Sequence, residues 1–224
     1  MHVQPITERR GRGALSREQI AARALAYLDR NGLEALSMRR LAQELGVGTM
    51  TLYGYFRDKD ALLDGVVDVA AADQPVRPRG TTRWKPYLRL LMLDLHEGLL
   101  RHPALVGIRL QSAIATPSAF RVTEAGMRAL HDAGLDEREA ARAFRALFIH
   151  TFGSAAFQTP KTAELDTRRG EAILASLPRD EYPILSARGG QLLRDWAGET
   201  QFARELDLLL DGIEVRARPP RASQ

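Results

Sequence analysis

The sequence predicts an all-α protein with a small N-terminal three-helix domain and a larger helical C-terminal domain. Three observations carry this. Apolar residues recur at three- and four-residue spacing through most of the chain. No sustained alternation of apolar and polar residues marks a strand. A stretch rich in proline and charge, residues 73–80 (DQPVRPRG), separates a compact first segment from the rest.

Residues 1–15 read as a flexible basic arm, and 16–72 as the first domain with its connecting helix. Ser16 can cap a helix and Gln19, three residues on, completes a capping box. That helix runs over about 17–31, with Ile20, Ala24, Leu25 and Leu28 on one stripe and Gly32 as a natural stop. Ser37 caps a second, short helix ending near Leu45. Gly46-Val47-Gly48 is a tight turn, a third helix covers about 49–55, and a fourth runs from Lys59 to Ala72. The larger domain spans 81–218. Its first helix, about 83–101, tolerates Pro86 in the first turn and carries apolar residues on nearly every face, so it should be buried almost all round. Short helices are expected at 104–114 and 118–133. A long helix covers 136–158, with Phe144, Leu147, Phe148, Thr151, Phe152 and Ala155 on one face. Residues 159–183 read as a mobile excursion with a short helix near Ile173 and Leu174. A helix at 184–197 should be weakened by Gly189-Gly190, and the last helix, 199–215, aligns Phe202, Leu206, Leu209, Leu210 and Ile213.

Composition narrows the class. Hydrophobic residues make up 45% of the chain and suffice for a sizeable core. No apolar run approaches the ~20 residues of a membrane span, and the first residues lack the apolar stretch of a signal peptide; a cytoplasmic protein is expected. The absence of cysteine removes disulfides and thiolate chemistry. Residues 1–60 hold ten Arg or Lys against seven Asp or Glu, a surplus of three of the net +4. The first segment is therefore the one suited to seek phosphate.

Chemistry concentrates in residues 38–56, MRRLAQELGVGTMTLYGYF. Leu41, Leu45, Val47 and Leu52 are spaced to lock two short helices together, and Ala42 is small where they approach. Gly46 sits where the chain turns sharply, in a conformation a side chain resists. The second helix then presents Thr49, Thr51, Tyr53 and Tyr55 outward, while Phe56 should be core. This is the pattern of a helix-turn-helix, whose second helix fits the major groove of DNA.

The same residues, Leu45-Gly46-Val47, Thr51 through Lys59, and Ala61-Leu62-Leu63-Asp64, closely resemble the DNA-binding domain of the TetR (tetracycline repressor) family over about 17–66. The resemblance implies a homodimeric regulator, usually a repressor, that binds a pseudo-palindromic double-stranded operator and is released by a small organic effector. It assigns DNA contacts to Arg39, Thr49, Met50, Thr51, Tyr53, Tyr55 and Lys59, with Lys59 on phosphate. Gly54 replaces the bulkier residue often found there. The larger domain would bind the effector and dimerise, the helices at 136–158 and 199–215 pairing with their copies as a four-helix bundle; their apolar stripes could equally be intramolecular core.

Effector-lining residues are expected among Trp84, Met92, His96, Phe148 and His150, although either histidine could instead be a hydrogen-bonded core residue. No two of the five histidines lie four residues apart, so no helix offers a two-histidine metal face. Where tetracycline-binding members of the family place histidines around a magnesium–drug complex, this chain has Gln74-Pro75 and Arg109; neither a metal nor another cofactor is expected. Two other classes compete. An enzyme would need a convergent acid–base or nucleophilic set, and Ser154, though it follows Gly153, lacks the Gly-x-Ser-x-Gly elbow. An architectural DNA binder would not require the large apolar second domain.

Overall fold

The computed structural model describes residues 15–77, 80, 82–111, 115–158, 169–196 and 200–217, and no strand occurs among them. The order is α1 (Arg17–Asn31), a 3-10 turn (Leu33–Ala35), α2 (Met38–Leu45), α3 (Thr49–Tyr55), α4 (Lys59–Ala72), α5 (Trp84–Arg101), α6 (Ala104–Gln111), α7 (Pro117–Asp132), α8 (Glu137–Phe157), α9 (169–176), α10 (Pro183–Trp196) and α11 (Gln201–Arg216). The basic arm, apart from Leu15, lies outside the described residues, as do 112–114 and 159–168.

Local chemistry explains most boundaries. Ser16 and Gln19 form the reciprocal capping box at α1. Ser37, Asp58, Thr116 and Asp136 each accept a backbone N–H at the start of α2, α4, α7 and α8. Gly46 closes α2 in the left-handed region at φ 66°.

Two apolar cores hold the molecule. The first joins α1–α4 and runs on through Leu99, Leu105, Val106 and Ile108 to Ala155 of α8. The second fills the space between α5, α7, α8 and α11. Contrary to the expectation that α5 would be buried nearly all round, Leu90 and Leu100 stand exposed while Leu88, Met92 and Leu99 face the cores. The glycine pair in α10 does not interrupt it. A Cβ on Gly189 would stand 2.7 Å from Leu174, and one on Gly170 would stand 2.8 Å from Leu193. The glycines thus seat the leucines of α9 and α10 against each other.

Candidate functional site

Helix α3 is only seven residues long and its N-terminus has no side-chain cap. Such a helix is unstable alone, so packing must hold it. Leu52 is fully buried, and Phe56, just beyond the C-terminus, is 1% exposed. The Phe56 ring lies against α4 and α1: a Cβ on Gly65 would come within 2.8 Å of it and 3.6 Å of Ala21. The Gly46–Gly48 turn is closed by the Val47 N–H, which donates to the Ala42 carbonyl at 3.0 Å.

On this anchored helix Met50 is 80% exposed, and Thr51 and Tyr53 are also exposed; Thr49 is half-buried. Arg39 is exposed on α2, and Lys59 is half-buried at the first position of α4. Tyr55, expected to face outward, packs partly against the first core instead. Among the described residues, sequence reading missed Arg17. Its Nη1 donates to the Tyr55 carbonyl at 2.8 Å, and its guanidinium lies 4.4 Å from the centre of the Phe56 ring. The available signal was a cation in the first turn of α1, where its own helix dipole disfavours it.

Gly54 gives a direct test of α3. A Cβ there would meet nothing within 4 Å, and glycine costs a helix about 0.5–1 kcal/mol relative to alanine. Gly54→Ala should therefore raise the melting temperature by about 1–4 °C. A lower melting temperature would show that this turn is not helical in solution.

Three ties join the first domain to the second. Asp68 of α4 accepts the Ser118 N–H at 2.9 Å. Burial opposes ionisation of Asp68, but hydrogen bonds from Ser118 and Thr116 and the nearby Arg121 hold its carboxyl below the usual value. Arg121 donates to the carbonyls of Ala71 and Ala72 at the end of α4. On α1, Asp29 pairs with His102 at 2.7 Å.

Between α4, α5, α7 and α8 lies a small apolar cavity of about 60 Å³, lined by Leu95, Leu99, Phe144, Phe148, Phe152 and Gln74 among others. The Gln74 Oε1 is buried without a hydrogen-bond partner. Its amide occupies space that only a glycine at 98 leaves free, since a Cβ there would stand 2.1 Å from Nε2. Of the five expected lining residues, Phe148 is at this cavity. Trp84 packs half-buried at the start of α5 against the second core. Met92 is fully buried there and receives the Thr151 hydroxyl at 3.6 Å. His96 and His150 both stack on Phe202 of α11, at centroid distances of 3.8 and 5.3 Å. His96 Nε2 meets Ser154 Oγ at 3.2 Å, and His150 pairs with Glu205 at 3.5 Å. Burial, with a smaller effect of the His150 charge, lowers the His96 pKa to about 4. Among the described residues no three His, Asp or Glu side chains group as metal ligands, and no helix is long and apolar enough to cross a membrane.

An exposed short helix locked onto a second by a glycine turn, carried on an all-helical frame, defines a helix-turn-helix DNA-binding regulator. Comparison with known proteins agrees. Residues 20–66 match the family model "Bacterial regulatory proteins, tetR family", and residues 75–217 match "Tetracyclin repressor-like, C-terminal domain". The chain belongs to the TetR family, whose members are transcriptional regulators and not enzymes. The class D tetracycline repressor of Escherichia coli is 28% identical over 90% of either chain. The HTH-type transcriptional repressor DrrR1 of Streptomyces coeruleorubidus is 30% identical, over 90% of this chain and 78% of its own. Among solved structures, ActR of Streptomyces coelicolor in complex with actinorhodin superposes with a TM-score of 0.81 at 29% identity, covering 92% of this chain and 100% of the other.

Proposed function

We propose that this protein is a homodimeric cytoplasmic repressor that binds a pseudo-palindromic operator and is released by a small organic effector. The observation that carries the DNA-binding part is the exposed Met50–Tyr53 segment of α3, held on buried Leu52 and Phe56. Direct readout needs a rigid helix offering hydroxyl, methyl and aromatic groups to base edges. In this reading Thr49, Met50, Thr51 and Tyr53 face the groove. Arg39 and Lys59 meet phosphate, and Tyr55 contributes from its half-buried position.

Dimerisation is supported by an unpartnered apolar face. On α8, Ile149 and Phe157 are exposed, Phe157 to 83%, and on α11, Leu208 and Val215 are exposed, Val215 to 88%. Gly153 and Gly212 fall on the same faces with open space beside them. Exposed large apolar side chains on these two helices are what an interface between copies would cover. The copy would set two α3 helices ~34–36 Å apart, in successive major grooves.

The effector part rests on the cavity beside α4. At about 60 Å³ it falls far short of the ~300–1,000 Å³ of a ligand pocket, so it represents the effector-free shape. Phe148 and Phe152 also line an outer cleft of about 290 Å³ between α6 and α8. An uncharged, mostly apolar molecule that displaces these rings would join the two spaces and offer a donor to Gln74 Oε1. It acts only if it binds better to a state with misplaced α3 helices.

The test begins with selection of DNA from random fragments by the purified protein, followed by salt titrations on the selected operator and on a random duplex. Lys59→Ala should weaken both duplexes alike and flatten the salt slope by about one unit. Thr51→Ala should cost about 1–3 kcal/mol on the operator alone. Equal loss on both duplexes for Thr51→Ala would remove α3 as the reading helix, and a monomer in size-exclusion chromatography at micromolar concentration would refute the dimer.

A further inference from the structure

We infer that Arg17 is a positioning residue for sequence readout: it holds the C-terminal end of α3 in place and does not itself contact phosphate. The inference rests on the DNA-binding reading above but on a different observation. Helix α3 has no side-chain cap at its N-terminus, contains Gly54, and has a single fully buried residue of its own, Leu52. The last carbonyls of any helix lack intrahelical partners. Arg17 supplies a donor to the last of them, that of Tyr55, at 2.8 Å. Its charge also sits at the negative end of the α3 dipole, and its flat guanidinium covers the Phe56 ring at 4.4 Å.

This one side chain therefore closes the end of the helix in two ways. It satisfies a backbone acceptor, and it lids the aromatic wedge that fixes where α3 leaves the protein. Its base, α1, is itself fixed by the Ser16–Gln19 capping box and by Ile20 and Ala21 in the core. A basic residue at the edge of a DNA-binding surface ordinarily suggests a phosphate contact. Here one guanidinium nitrogen is committed to a carbonyl and one guanidinium face to a ring, so the arginine is spent on the protein. Lysine cannot reproduce this, since it lacks both the planar face and the fork of donors.

The experiment compares Arg17→Met and Arg17→Lys with the unaltered protein. Three quantities are read: affinity for the selected operator, affinity for a random duplex, each across a salt series, and hydrogen exchange of the α3 amides. The Phe56 N–H, which donates to Leu52 at 2.9 Å, is the most direct reporter. Arg17→Met should weaken operator binding about 5- to 30-fold, the factor for one to two kcal/mol, and leave random-duplex affinity and both salt slopes unchanged. Exchange at Phe56 should accelerate while α1 and α4 amides stay protected. Arg17→Lys should fall between the two on both readouts. A salt slope flattened by about 0.9 on both duplexes, with Lys restoring it, would assign Arg17 to phosphate and overturn the inference; so would unchanged operator affinity. If the unaltered protein selects no DNA, the DNA-binding reading fails, and the exchange arm still decides whether Arg17 closes α3.

Discussion

Phe56→Ala is expected to lower stability by about 3–5 kcal/mol and to abolish preference for the operator. The ring is almost wholly enclosed, with Gly65 of α4 against its edge, Ala21 of α1 beside that glycine, and the Arg17 guanidinium over its face. Its removal costs the transfer energy of the ring and leaves a cavity that three helices cannot close without moving α3. Denaturant unfolding followed by helical content measures the first effect, and operator binding below the melting transition measures the second. Phe56→Leu, closer in volume, should cost under about 1.5 kcal/mol. Gly65→Ala attacks the same contact from the other side, because its Cβ would stand 2.8 Å from the ring, and overpacking of this kind costs about 1–3 kcal/mol. Combined with Phe56→Leu it should cost less than the sum, since both changes act on one space. A loss below about 1 kcal/mol for Phe56→Ala would mean that the ring does not anchor α3.

The DNA-binding end was legible because its determinants are local. Ser16 with Gln19, Ser37 and Gly46 act on backbone groups within a few residues of themselves, so the sequence shows both partners at once. The role of Phe56 as core followed from the same short pattern. Arg17 and Tyr55 are 38 residues apart, and nothing in either segment announces the other.

The lining of the cavity beside α4 was legible only in outline. Helical periodicity says which residues share a face but not what stands opposite. On α5, apolar residues occupy nearly every face: Met92 and His96 point toward α8 and α11, while Leu95, Gly98 and Leu99 border the cavity. The aromatic and histidine residues drew attention by type, and three of the five instead form the His96–Phe202–His150 stack and the Met92–Thr151 contact. Gln74 follows α4, where the change in composition suggested a linker. Its significance lies in a buried, unpaired carbonyl, which no sequence pattern displays. The Gly189-Gly190 pair of α10 misled for the same reason: within a helix glycine signals weakness, and only the facing Leu174 reveals that Gly189 makes room.

Mild acid should destabilise the protein through His96, independently of DNA. Burial against Phe202, with a lesser effect of the His150 charge, lowers its pKa to about 4 in the folded chain, against an ordinary value near 6.5. The sign follows from proton counting. Above about pH 6.5 neither folded nor unfolded chain holds this proton, and His96 contributes no pH dependence. Between about 6.5 and 4 the unfolded chain binds it and the folded chain does not, so stability falls as the pH falls. By about pH 5 the loss should be about 2 kcal/mol relative to pH 7.5, levelling off near 3 kcal/mol below pH 4. The groups around the ring are Ser154, which meets its Nε2 at 3.2 Å, Phe202, and His150 with its partner Glu205. Other carboxylates and histidines also titrate in this range, so the decisive quantity is the difference between the unaltered protein and His96→Gln. Glutamine can still reach Ser154 but carries no titrating ring. His96→Gln should be less stable near pH 7.5, where it loses the stack on Phe202, and should show a shallower fall toward pH 5 in denaturant unfolding. Parallel stability–pH curves for the two proteins would show that His96 is not held neutral, and that the α5–α8–α11 junction tolerates its charge.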